Sequence, residues 1–304
     1  MSELRFNELR DEHVAYAIHR QDRTFLPARE HCPLCPTKPG GPPTEIPRAA
    51  FEIAVFDNRF PAFEAPHGAA EVVVYTDKHD ASFGTLTPQR AEELMWVWRH
   101  RYAELGARAD IDYVFIFENR GVEVGVTLHH PHGQIYGYPL LPPVPRLELA
   151  ADARLGGCAP CVLLARELED GRRILFESER AVAYVPSAAR WPYEAHVVLR
   201  EHRPSLTDCD EEDLRALAAG LQRLVRGYDA LFKRPFPYVM AVHQAPTAPP
   251  AGRGHLHVEF YPALRTAEKL KYLAGSEQGA GTFISDVLPE ESAAELREAI
   301  ARGT

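Results

Sequence analysis

The feature that most constrains this chain is that it repeats itself. Cys32-Pro33-Leu34-Cys35 returns as Cys158-Ala159-Pro160-Cys161, 126 residues on. His79, in Asp77-Lys78-His79, has a counterpart 123 residues on in His202 of Arg200-Glu201-His202. Tyr113-Val114-Phe115-Ile116-Phe117 matches Tyr238-Val239-Met240-Ala241-Val242, and His130-Pro131-His132 matches His255-Leu256-His257, each 125 residues on. Four features in one order at nearly one spacing mark a duplication. Two homologous halves are expected, residues 1–150 and 151–304, joined near residues 142 to 156.

Each half has the same plan. Val72-Val73-Val74-Tyr75 and His196-Val197-Val198-Leu199 are extended, apolar segments. A helix follows each. Thr87 fits the N-cap and Pro88 the first helical position. Ala91, Leu94, Met95, Trp98, Tyr102 and Leu105 then keep helical spacing up to Gly106. In the second half Leu214, Leu217, Leu221, Leu224, Tyr228 and Leu231 do the same. Strands after each helix carry the histidine pairs. Turns and single long helices link the strands, which predicts an α+β fold rather than a doubly wound parallel sheet. The sheet should be mainly antiparallel, with flanking helices. The proline-rich stretches Pro39 to Pro47 and Pro246 to Gly254 read as loops.

Four of the five cysteines fall in the two Cys-x-x-Cys pairs, a spacing that lets two thiolates converge on a metal. A single pair could equally serve redox chemistry. Two pairs, each followed by two histidines at matching distances, point to zinc. The first site is Cys32, Cys35, His79 and His130; the second is Cys158, Cys161, His202 and His255, taking zinc or iron. Cys209, in Asp208-Cys209-Asp210, reads as a surface or half-buried thiol without a role.

His132 is the candidate nucleophile. Residues two apart on a strand share a face, so a metal-bound His130 would place His132 rigidly beside it. A neutral imidazole can attack an α-phosphorus and carry the nucleotide as a phosphoramidate. Gly133 leaves room for a phosphoryl group to approach the backbone. Gln134, again on the same face, can donate its amide N–H to a phosphoryl oxygen. It cannot act as a general acid, so the leaving group must depart unprotonated. A sugar phosphate can do so, with a second pKa of roughly 6. The pattern therefore favours transfer between phosphates over hydrolysis. The second half carries Val258 and Glu259 where the first has Gly133 and Gln134. It is expected to be structural and to shape a sugar pocket.

These residues sit in segments that resemble the galactose-1-phosphate uridylyltransferase family, the transferase branch of the histidine-triad superfamily. The resemblance runs through Cys32-Pro33-Leu34-Cys35, Phe56-Asp57-Asn58-Arg59-Phe60-Pro61, Phe117-Glu118-Asn119-Arg120-Gly121 and His130-Pro131-His132-Gly133-Gln134-Ile135. It continues in Phe236-Pro237-Tyr238, His243-Gln244-Ala245-Pro246 and His255-Leu256-His257. It implies a ping-pong exchange in which UDP-glucose uridylylates His132 and a hexose 1-phosphate, galactose 1-phosphate, takes up the UMP. It implies phosphate contacts from Arg20 and Arg23, and nucleotide contacts from Asn58, Arg59 and Asn119. Gly125, Val126 and Thr127 would line the phosphates. Lys271, Tyr272 and Glu277 would bind the sugar across a homodimer interface. Val126-Thr127 stands where the family usually has Cys-Ser, Arg59 replaces an acid, and Ser276 and Phe283 depart from the usual sugar-binding segment. Many relatives hold the second metal with residues matching Glu148, His243, His255 and His257. The Cys158–Cys161 pair favours the cysteine set here, as in ADP-glucose phosphorylase-like members.

The nearest rival is an NDP-hexose phosphorylase or another nucleotidyltransferase with a different sugar 1-phosphate acceptor. A nucleotide hydrolase would need the acid that Gln134 is not. A zinc-stabilised nucleic-acid module would need a basic face, and the formal net charge is −9. No apolar run approaches the roughly 18 residues of a membrane span. Met1-Ser2-Glu3-Leu4-Arg5 lacks the apolar core of a signal peptide. A cytoplasmic enzyme is the expectation.

Overall fold

The apolar runs of both halves pair into a single sheet. The computed structural model describes residues 3–249 and 251–303. A hairpin of β1 (Glu3–Asn7) and β2 (Glu12–Tyr16) stands apart. The main sheet contains β3 (Ala54–Asp57), β4 (Ala69–Val74), β5 (Tyr113–Arg120) and β6 (His132–Tyr138) from the first half. The second half adds β7 (Ile174–Glu177), β8 (Ala181–Tyr184), β9 (Ala195–Leu199), β10 (Tyr238–His243) and β11 (His257–Pro262). Their order is β3-β4-β6-β5-β10-β11-β9-β8-β7, and every neighbouring pair is antiparallel. The repeated strands β5 and β10 meet at the centre, with Ala241 opposite Phe117. Moving outward from that seam, β6 corresponds to β11, β4 to β9 and β3 to β8.

Two long helices cover one face. α1 (Pro88–Gly106) begins where the sequence predicts, with Thr87 accepting a hydrogen bond from Arg90 N. It buries Ala91, Leu94, Met95, Trp98, Tyr102 and Leu105 against β5 and β6. α4 (Glu211–Leu231) packs on β8 and β9 through Leu214, Leu217, Leu221, Leu224 and Tyr228. The junction between halves is helical: α2 (Pro143–Leu155) is followed by α3 (Ala159–Asp170). α5 (Pro289–Gly303) closes on α4. The patterns above did not single out α2, α3, α5 or the hairpin.

Strand alternation divides the chemistry between faces. Val73, Val114, Ile116, Ile135, Val197, Met240, Val258 and Phe260 join the core under the helices. Their strand neighbours, including His132, Gln134, Asn119, His243 and His257, point the other way. Cys209 is buried, not on the surface, and its thiol reaches the Ser205 carbonyl at 3.6 Å. Pro39–Pro47 and the described part of Pro246–Gly254 are turns and irregular chain; Pro250 lies outside the described residues.

Candidate active site

His132 opens β6, and its ring orientation follows from one hydrogen bond. Nδ1 lies 2.8 Å from the His130 carbonyl oxygen, which can only accept. The proton therefore sits on Nδ1 and the Nε2 lone pair is left for chemistry. Burial holds the pKa of His132 below the usual histidine value, which keeps the ring neutral and nucleophilic. His130 itself lies outside the strand, and its ring turns to the cysteines.

His132 lines two cavities. The larger, about 400 Å³, is bounded by Asn119, Arg120, Gly121, Val126 and His129. The smaller, about 120 Å³, is bounded by Leu34, Phe56, Asn58, Arg59, Val72 and Gln134, with Arg23 and Thr127 at its edge. Gln134 is held through its amide oxygen, which accepts from Asn58 Nδ2 and from the Tyr136 hydroxyl, both at 3.2 Å. Arg20 donates to the Tyr136 hydroxyl at 3.0 Å and to the Phe60 carbonyl at 3.3 Å. Arg59 is exposed and pairs with Glu45 at 3.3 Å. Leu34, Phe56, Val72 and Tyr136 were not singled out as site residues from the sequence. For Phe56, Val72 and Tyr136 the signal was the strand alternation that puts Phe56 opposite Val72, Val72 opposite Gln134 and Tyr136 two residues beyond it, whereas Leu34 lies in the turn between Cys32 and Cys35.

Gly133 serves a different purpose from the one its sequence suggests. It faces the helices, away from His132 and Gln134. A Cβ there would overlap the Tyr75 hydroxyl and lie 3.0 Å from the Phe117 carbonyl. Glycine is required by packing beneath the strand, not by an approaching phosphoryl group. Gly125 adopts φ +79° in open space and ends the short helical turn before Val126. Lys271 and Glu277 pair with each other at 2.7 Å, and Tyr272 is exposed. None of the three lines the His132 cavities.

The first cysteine–histidine set converges. Ligand atoms of Cys32, Cys35, His79 and His130 all lie within 4.8 Å of one another. His130 Nε2 donates to the Thr76 carbonyl at 2.7 Å, so its Nδ1 lone pair points at Cys35 Sγ, 3.5 Å away. Such a carbonyl partner is what fixes a ligating imidazole. Burial lowers the His130 pKa to about 4 and raises that of Cys32 to about 11. The histidine is thus neutral and ready to bind, and the Cys32 thiol would give up its proton only beside a cation. Two sulfurs and two nitrogens suit a tetrahedral ion such as zinc.

The second half repeats this with a twist. Cys158, Cys161, His202 and His255 form a second group within 4.8 Å, and Glu148, His243 and His257 form a third. The alternative four-residue set is therefore divided: His255 Nδ1 sits 3.0 Å from Cys161 Sγ, and the remaining three stand alone. Here the pair begins α3, with Cys158 as its N-cap, whereas Cys32 and Cys35 lie in a turn. His257 copies His132, its Nδ1 lying 2.7 Å from the His255 carbonyl. Its Nε2 instead meets the buried Glu259 carboxylate at 3.5 Å. A negative charge at that place opposes a phosphoryl group.

Fold and site define a class: duplicated α+β transferases with one histidine at a cleft beside a cysteine–histidine cluster. The chain belongs to the galactose-1-phosphate uridyl transferase family. The family's N-terminal domain matches residues 62–142 and its C-terminal domain residues 153–302. A galactose-1-phosphate uridylyltransferase of Thermotoga maritima is 36% identical, covering 98% of each chain. A solved uridylyltransferase structure superposes with TM-score 0.86 at 30% identity, covering 99% of each chain. An ADP-glucose phosphorylase from Arabidopsis thaliana shares the fold at TM-score 0.74 and 21% identity, covering 98% of this chain and 99% of that one. Among the described residues no helix is long and apolar enough to cross a membrane.

Proposed function

We propose that this chain transfers UMP from UDP-glucose to galactose 1-phosphate through a uridylyl-His132 intermediate. The observation that carries this reading is the His132 tautomer: the His130 carbonyl holds the proton on Nδ1, aiming Nε2 at the substrate cavities. Nε2 forms a bond to the α-phosphorus as the bond to the glucose 1-phosphate oxygen breaks. The positive charge arising on the ring is met by the His130 carbonyl. The free NH2 of Gln134 donates to a phosphoryl oxygen where negative charge builds. The leaving phosphate takes its electron pair unprotonated. Galactose 1-phosphate then attacks the phosphoramidate and releases the histidine.

In this reading residues 1–150 supply the nucleophile and residues 151–304 the structural counterpart. Phe56, Leu34 and Val72 give the smaller cavity the apolar walls a uracil ring needs, and Asn58 and Arg59 its polar rim. Asn119 and Val126 would meet the phosphates from the larger cavity and Thr127 from the smaller, with Gly125 shaping the turn between them, and Arg20 and Arg23 would approach from the N-terminal arm. Cys32, Cys35, His79 and His130 would hold zinc, which would lock the chain leading into His132. Cys158, Cys161, His202 and His255 would hold zinc or iron in the other half. Free thiols in both sets fit the reducing cytoplasm. Lys271, Tyr272 and Glu277, away from His132 in their own chain, would reach the sugar of a partner in a homodimer.

The test is to mix the purified protein with UDP-glucose alone and weigh it. The wild type should gain one UMP and His132→Gly none. A wild type without adduct, or an adduct on His132→Gly, overturns the mechanism. A panel of sugar 1-phosphates added to the adduct then identifies the acceptor, with galactose 1-phosphate expected to discharge it fastest.

A further inference from the structure

The hydrogen bonds around Gln134 have a direction that is set at both ends by groups able only to donate. On one side the Phe60 N–H donates to Asn58 Oδ1 at 2.9 Å. The other terminal atom of Asn58 is then its amide nitrogen, and this donates to Gln134 Oε1. On the other side the Arg20 guanidinium, which has no acceptor, donates to the Tyr136 oxygen. The Tyr136 proton therefore goes to Gln134 Oε1. Both lone pairs of that oxygen are used. The Gln134 amide nitrogen makes no hydrogen bond among the described residues, and Gln134 lines the smaller cavity together with His132.

We propose that Tyr136 is a positioning residue for the transfer reaction, holding Gln134 in the one amide orientation that presents NH2 to the phosphoryl group. The inference rests on the uridylyl-transfer reading. The need is physical: the reversed amide would turn its carbonyl oxygen toward an anionic phosphoryl group and repel it. Tyr136 is suited to the task because its ring cannot wander. It is buried, with Phe117 at 4.9 Å and Phe63 at 5.8 Å between ring centroids. The Arg20 charge polarises the hydroxyl, which strengthens its bond to Gln134. Asn58 holds the same oxygen from the strand edge, so the clamp has two arms, and only the Tyr136 arm can be removed without touching the cavity wall.

The experiment is a single-turnover measurement of uridylyl-enzyme formation at saturating UDP-glucose for wild type, Tyr136→Phe, Gln134→Ala and the double variant. Loss of one orienting hydrogen bond should slow Tyr136→Phe about fivefold. Half-saturation by UDP-glucose should stay within about twofold, because ground-state binding is not what the hydroxyl supports. With Gln134 already replaced, adding Tyr136→Phe should change the rate by less than about 1.5-fold. Equal slowing in both backgrounds, or a wild-type rate in Tyr136→Phe, overturns the proposal and leaves the transfer reading intact. A wild type that forms no adduct overturns both. Thermal midpoints of the four proteins, expected to agree, separate positioning from a general loss of structure.

Discussion

Gly133→Ala tests the packing on which the His132 strand rests. The added Cβ would point beneath β6, onto the Tyr75 hydroxyl, with Tyr75 Cζ at 3.2 Å and the Phe117 carbonyl at 3.0 Å. Tyr75 has nowhere to go. It is fully buried, with its ring edge-on to Phe83 and Trp98 at 6.1 and 6.3 Å. Overfilling a close-packed site of this kind costs about 2 kcal/mol. An unfolding entropy of roughly 2.1 cal/mol/K per residue turns that into a fall of about 3 °C in thermal midpoint for 304 residues. The companion variant is Tyr75→Phe. The hydroxyl is buried beside the Glu118 carboxyl, so its removal alone should cost about 1 kcal/mol. In that background Gly133→Ala loses its worst clash, and its penalty should drop below about 1 kcal/mol. Differential scanning calorimetry of the four proteins makes the comparison. A Gly133→Ala protein as stable as wild type, or one equally destabilised with Phe at position 75, would refute the packing argument.

Three further outcomes follow from buried charge and metal-type clusters. Burial raises the Glu118 pKa to about 7, above its unfolded value near 4.5, so the folded state keeps its proton longer. Stability from this group is present below about pH 4.5 and is lost as pH rises through 7. Glu118→Gln should therefore gain on wild type by up to about 3 kcal/mol between pH 4.5 and 8, read from denaturant midpoints at both ends; a pH-independent difference would refute it. Glu259 lies 3.3 Å from His196 Nε2 and 3.5 Å from Arg190 Nη2, and Glu194 stands 3.3 Å and 3.9 Å from the same two side chains, so Glu259→Gln should destabilise the fold by only about 1 kcal/mol. An unaltered urea midpoint would remove that role. Cys161→Ser should lower bound transition metal by one equivalent per chain in elemental analysis, and full retention would remove the second cysteine site.

Much of this protein was legible from residue spacing because spacing reports backbone geometry directly. The repeat located β5 and β10, the Thr87 cap located the start of α1, and two Cys-x-x-Cys pairs with trailing histidines located both metal-type clusters. Local patterns of this kind survive folding unaltered. Gly133 was misread for an instructive reason: its neighbours on either side face the cleft, but strand alternation sends it the other way, onto a tyrosine 58 residues earlier in the chain.

What the chain determines by itself is the set of elements, the pairing of like with like across a duplication, and which histidine keeps Gln134 beside it. Only the tertiary structure decided how those parts divide. It gave His255 to the cysteines and left Glu148, His243 and His257 as a separate trio. It turned Lys271, Tyr272 and Glu277 away from their own His132 cavities. It also set the Arg20–Tyr136–Gln134 relay, whose members lie 116 and 2 residues apart. Each of these rests on where a side chain's lone pair or proton points in space. Sequence spacing fixes the face a residue occupies, whereas the direction of its hydrogen bonds depends on partners brought from distant parts of the chain.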